Sequence, residues 1–349
     1  MQIVYFLFTL YLILNFSCNG LKDNKYLYIM QFTWLIVSVA IFFGFRNQSI
    51  GNDSITYIKI FQNPESYPSR LEPGYLVFNS FLRLFSKNGN FYLFSVSLLL
   101  AILQLKVYRN IDIHNYLLFY ILYACFYYFY QFHFNIIREG LAITFVSLSL
   151  LELKSKKYFQ YFLLGLLAVS IHSTALIFII YPFFLIPIKT KKIQISIFVI
   201  LILCFSTNIV SVIIKGIPEF HWAISKIKWY FIIAEPVKIK QAHLISMFIM
   251  LTYTINYEKI KRTSLFYLYS FHSRYFTFLA FFNECVLVYD RFYFYIQVFE
   301  PVLLFGFISL FKEKKIFKFL YLLIGLIVSF FTVFIWGPRN FIQPYSFFN

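Results

Sequence analysis

Residues 157–189 read KYFQYFLLGLLAVSIHSTALIFIIYPFFLIPIK, an apolar run closed by a lysine at each end. As one unbroken helix it would reach about 45 Å, half again the thickness of a bilayer's hydrocarbon core. Short loops rich in Lys and Arg stay on the cytoplasmic side of a membrane, so both ends belong to one face and the run has to turn back. His172 sits at the turn. The same argument applies between Arg109 and Lys154, where the apex holds His133, Asn135 and Arg138, and between Arg262 and Lys312, where Asp290 and Arg291 mark it. These hairpins bring their polar midpoints to the outer face.

Outward from these hairpins the pattern repeats. Of the 349 residues 60% are apolar and only 13% charged, a composition that fits membrane spans and not a water-soluble core. Runs of span length fall near 3–17, 27–45, 91–105, 115–131, 134–151, 158–171, 174–188, 193–214, 243–257, 264–288, 292–311 and 317–336. The expected fold is all-α: a single polytopic integral membrane domain over 1–349, with about twelve transmembrane helices. The N-terminus has no Lys or Arg before its first apolar run and no small-residue cleavage site, so it reads as a retained span. Basic clusters at Lys22/Lys25, Lys106/Arg109, Lys154/Lys156/Lys157, Lys189/Lys191/Lys192, Lys259/Lys261/Arg262 and Lys312/Lys314/Lys315/Lys318 set the cytoplasmic loops.

The net charge of +17 invites a nucleic-acid reading, but the basic residues lie between spans and form no stripe interleaved with exposed aromatics. Cys18, Cys125, Cys204 and Cys285 are too scattered for a disulfide or metal set and read as packing residues. His114, His133, His243 and His272 read as packing or interfacial. There is no Gly-rich nucleotide loop, no metal-binding His pair on a helix and no serine elbow. No cofactor and no metal is expected.

Against this greasy background the segment 46–90 stands out as an outer functional loop, gathering Arg46, Asp53 and Glu72 with several turn residues. Its apolar piece near 75–86 is expected to be re-entrant, dipping in and returning. A second hydrophilic loop, 215–242, falls on the same face. Guanidinium groups hold phosphate oxygens bidentately and stay charged, so Arg46, Arg138 and Arg291 at one lipid–water boundary suit a lipid-linked diphosphate or its sugar. Asp53, Glu72 or His172 could then take a proton from an attacking sugar hydroxyl. Asp53 ranks first, because the Gly51-Asn52 turn presents it beside Arg46. Local turn roles remain open for both acids, an Asx turn at Asp53 and the Pro73-Gly74 turn at Glu72.

Phe45-Arg46 with Gly51-Asn52-Asp53 and Tyr57, then Glu72-Pro73-Gly74-Tyr75, Ile137-Arg138-Glu139-Gly140-Leu141-Ala142 and Ile171-His172-Ser173 resemble the motifs of EpsG-like and Wzy-type polysaccharide polymerases. Arg291-Phe292-Tyr293 matches more weakly. The resemblance implies an inverting glycosyltransferase in the bacterial cytoplasmic membrane, acting without a metal on polyprenyl-diphosphate-linked oligosaccharide. It places Arg46, Asp53, Glu72, Arg138 and His172 in the active cavity. Membrane lipid, a chain-length regulator and a flippase of the same pathway are the expected partners, and nucleic acid is not. Glu139 departs from the Gln common there. Two rival readings use the same features, a flippase or exporter of the lipid-linked glycan and a membrane O-acyltransferase.

Overall fold

The computed structural model describes residues 2–17, 25–51, 53–66, 71–206, 241–283, 285–308, 310, 314–331 and 334. Among them the secondary structure is helical, with no strand. Cys18, Lys22 and most of the 215–242 loop lie outside the described residues. The chain packs as two compact units, residues 1–178 with 315–349, and residues 179–314.

In the first unit α1 (Gln2–Ser17) and α2 (Lys25–Gly44) precede a short α3 (Ser54–Gln62) and α4 (Pro73–Arg83). Then come α5 (Gly89–Ile111), α6 (Tyr116–Ala124), α7 (Tyr127–Phe134), α8 (Ile137–Lys154) and α9 (Tyr158–Ile171). Local chemistry sets several of these boundaries. Asn88 caps α5 by accepting the Asn90 N–H at 2.8 Å, and Pro73 opens α4 where a missing N–H costs nothing. At 23 residues α5 spans about 35 Å and is the one described helix long and apolar enough to cross a bilayer alone.

The remaining apolar runs form shorter pieces, so the count of about twelve spans is not established. The run expected at 115–131 breaks at Cys125 and Phe126 into α6 and α7. Every α6 side chain is buried, as expected of a helix apolar all round that is enclosed by protein and not by lipid. The run at 292–311 likewise breaks near Val298.

The decisive 157–189 run does fold back. Helix α9 ends at Ile171, His172 is extended, and a 3₁₀ stretch, Ser173–Ile180, returns along α9. There the Tyr161 hydroxyl donates to the Phe178 carbonyl at 2.5 Å. A Cβ at Gly165 would lie 2.4 Å from the Phe178 ring, so only glycine permits this approach.

The second unit contains α10 (Tyr181–Leu185), α11 (Lys191–Ser206), α12 (Gln241–Ile255), α13 (Phe266–Ala280), α14 (Val286–Gln297) and α15 (Glu300–Ile308). The last described helix, α16 (Lys314–Phe330), belongs almost wholly to the first unit, where Gly325 lies close to Leu122 and Cys125 of the α6 end.

Candidate active site

Three chain segments meet in the first unit: the start of α4, the start of α8 and the turn after α9. Glu72 precedes Pro73 in an extended conformation, and its carboxylate does not cap the helix it introduces. Its Oε2 accepts from Arg138 Nη1 at 2.8 Å, and its Oε1 accepts the Ser173 backbone N–H at 2.8 Å. The Glu72 and Arg138 side chains are 19% and 17% exposed, so the pair sits at the rim of the packed interior. Burial alone would raise the Glu72 carboxyl. The Ser173 N–H, the Arg138 guanidinium and His172 outweigh it and hold the group below its ordinary 4.5.

Arg138 lies over the Tyr75 ring, 5.6 Å from its centroid, a cation–π contact that fixes the guanidinium plane. The buried Tyr75 is itself pinned by a 2.6 Å hydrogen bond between its hydroxyl and that of Tyr92 on α5. The Arg138 Nε proton is buried with no acceptor among the described residues. Close packing brings α4 to the end of α9: a Cβ on Gly74 would fall 2.2 Å from Ser170 Oγ.

His172 is buried at the end of α9, with Nδ1 2.7 Å from the Thr174 hydroxyl. Thr174 Oγ1 in turn donates to Glu139 Oε1 at 3.3 Å. Tyr57 on α3 lies within electrostatic reach of this group. Removal from water raises its phenol well above 10, Tyr75, Asp53 and Glu139 raise it further, and Arg138 opposes them. Asp53, the residue before α3, is exposed and its side chain does not cap that helix.

Arg46 is held by the 43–54 loop. It is fully buried. Nε donates to the Ile50 carbonyl at 3.2 Å, Nη1 to the Phe43 carbonyl and Nη2 to Ser54 Oγ at 2.9 Å, while the guanidinium covers the Phe134 ring at 4.9 Å. Ser54 Oγ bonds the Phe134 carbonyl at 2.8 Å. Gly51, at φ +94, takes a left-handed conformation against that same carbonyl. Arg46 thus stitches the 43–54 loop to the α7–α8 corner. Arg291 is exposed on α14 in the second unit.

The structure therefore joins Glu72, Arg138 and, through Ser173, His172, leaves Asp53 exposed before α3, and buries Arg46. The sequence reading missed Thr174 and gave Glu139 no role. An acid immediately after Arg138 at the head of an apolar run was the available signal. His133 packs as expected, stacked on Phe43 with centroids 4.3 Å apart.

A separate buried cluster in the second unit was also missed. Ser246 on α12 donates to Glu300 Oε1, and its oxygen lies 2.9 Å from the Tyr293 hydroxyl and 3.3 Å from His272 Nε2. It ties four helices, α12 to α15, together. His272, read as packing or interfacial, is buried with its Nε2 against the Ser246 oxygen.

The model of the EpsG family matches residues 29–347, nearly the whole chain. The chain belongs to the EpsG family. This is a Wzy-like polysaccharide polymerase family, which makes the EpsG-family chain a helical membrane protein of polysaccharide biosynthesis. The match includes the three segments that build the rim. No curated protein and no solved structure matches the chain.

Proposed function

We propose that this EpsG-family chain joins polyprenyl-diphosphate-linked oligosaccharide repeat units into surface polysaccharide on the outer face of the cytoplasmic membrane. The observation that carries the reading is the Arg138–Glu72 pair at the rim beside His172, with an Arg138 donor unmet among the described residues. A buried N–H without an acceptor costs about 1–3 kcal/mol, and an approaching phosphate oxygen would relieve it.

In the proposed reaction an acceptor hydroxyl attacks the anomeric carbon of the growing chain from the face opposite the diphosphate. The new C–O bond forms as the bond to diphosphate breaks, and the diphosphate leaves with the electron pair. Arg138, aimed by Glu72 and Tyr75, meets the charge that develops there. The hydroxyl proton passes to His172. This assignment places His172 ahead of Asp53, because the imidazole adjoins the Arg138–Glu72 pair through Ser173 while Asp53 stands in the open before α3. Asp53 then serves to hold acceptor hydroxyls. Arg46 is a scaffold residue, and Arg291 remains a candidate sugar or diphosphate ligand. A chain-length regulator and a flippase complete the pathway.

The test is the surface glycan of a deletion strain complemented with Arg138→Lys. A lysine keeps the charge but not the planar fork, and polymerisation should fall about 10²-fold while the protein accumulates normally. The expected ladder collapses to a single attached repeat. Complete absence of glycan would favour a flippase, and full-length unmodified glycan an acyltransferase.

A further inference from the structure

Beside Arg138 the rim carries a second hydrogen-bond donor, the phenol of Tyr57. We propose that the Tyr57 hydroxyl donates a hydrogen bond to the diphosphate that Arg138 holds, and so shares the charge that builds up as this group leaves. The inference rests on the diphosphate assignment above and adds a catalytic donor to it.

The placement of Tyr57 follows from how α3 is anchored. Ile58 and Phe61 are buried, Phe61 stacks on Tyr92 of α5 with centroids 4.9 Å apart, and Ser54 is bonded to the Phe134 carbonyl. With the helix held in this way, Tyr57 meets the Tyr75 ring edge-on, at 6.4 Å between centroids and 74° between planes. The same Tyr75 ring carries the Arg138 guanidinium at 5.6 Å. One buried ring thus sets the positions of two donors, the Arg138 guanidinium and the Tyr57 phenol. The Tyr75 hydroxyl itself is engaged with that of Tyr92, so Tyr75 positions and does not donate to a ligand.

Tyr57 is half-buried, and its hydroxyl makes no hydrogen bond among the described residues. Removal from water raises the phenol well above 10, which keeps the group protonated and a donor at any working pH. Of the charged groups that act on it, Arg138 acts most strongly, ahead of Asp53 and Glu139. An anionic oxygen drawn to Arg138 therefore comes within reach of the phenol, and a hydrogen bond to an anion is roughly twice as strong as one to a neutral hydroxyl. No proton is transferred, because the phenol is a far weaker acid than a diphosphate. As the bond from the anomeric carbon breaks, the electron pair settles on the diphosphate oxygen and the Tyr57 hydrogen bond tightens.

The experiment uses the full chain in vesicles, with repeat units linked to polyprenyl diphosphate isolated from a polymerase-deletion strain, and free polyprenyl diphosphate added as the product inhibitor. Tyr57→Phe keeps the ring and its contact with Tyr75 and removes only a hydroxyl without a partner, so thermal melting should match wild type. Its kcat should fall about 10-fold with KM for the repeat units nearly unchanged. The inhibition constant of polyprenyl diphosphate should rise about 10-fold, since the released diphosphate carries negative charge that the intact donor lacks. A purely structural role would not move that constant. Wild-type kcat in Tyr57→Phe, with turnover lost in Arg138→Lys, overturns the inference and leaves the diphosphate assignment standing. Lowered kcat with an unchanged inhibition constant also overturns it, and gives the hydroxyl to the acceptor sugar. Full activity of Arg138→Lys overturns the assignment and the inference together.

Discussion

Arg46 lies in the 43–54 loop with its guanidinium on the Phe43 and Ile50 carbonyls and Ser54 Oγ. A permanently charged side chain in a chain that is only 13% charged is conspicuous. Its direction is not written locally. It depends on Gly51 adopting φ +94 and on Ser54 reaching the Phe134 carbonyl, 80 residues away. With donors on two carbonyls and a hydroxyl, Arg46 binds loop to helix corner. Arg46→Lys should therefore lower stability by at least about 2 kcal/mol through acceptors left short of donors. Thermal melting of the purified protein should fall, while polymer made per folded molecule stays near wild type. Normal melting with lost polymer would return Arg46 to the diphosphate. Glu72 was legible as an acid before Pro-Gly, but its pairing with Arg138 needed the tertiary fold.

At the scale of elements, α4 answers the expectation of a re-entrant piece near 75–86. It is an 11-residue helix about 16 Å long, half the hydrocarbon thickness, so it cannot cross. Tyr75, Asn79 and Leu82 face inward, while Val77, Phe81, Leu84 and Phe85 form an exposed apolar stripe. Hydropathy alone sees a greasy run and cannot separate a short amphipathic helix from a dip into the bilayer. The position of α4 hangs on Gly74. In Gly74→Ala the new methyl meets Ser170 Oγ, Cβ and carbonyl oxygen at 2.2, 2.7 and 2.8 Å, so α4 must shift and Glu72 must draw away from the Ser173 N–H. Polymer synthesis should drop at least about 10-fold. Adding Ser170→Gly removes two of the three obstructions and should recover part of it, as read on the same glycan ladders. No recovery would mean that α4 does not depend on this contact.

For the whole molecule, helical character and the turn at His172 were readable because hydropathy and flanking lysines are local signals. The breaks at Cys125–Phe126 and Val298–Phe299 were not, since both lie inside unbroken apolar runs whose neighbours decide where the helix stops. Sidedness is testable directly. Cys125, Cys204 and Cys285 are buried, so with Cys18 replaced by serine, single cysteines placed near 155, 190 and 260 should label only from the cytoplasm, and those near 60 and 172 only from outside, with a membrane-impermeant maleimide. Cytoplasmic labelling of position 60 would sink the outer-face site.

The bond from Ser173 to Glu72 closes a separation of 101 residues. At a synthesis rate of about 5–20 residues per second, the ribosome needs roughly 5–20 s to advance from one to the other. Arg138, the other partner of Glu72, is made 66 residues after it, and the Ser173 N–H arrives only at the end of the interval. On the proposed assignment of His172 as base, the site is complete only once the hairpin bearing His172 has emerged and docked.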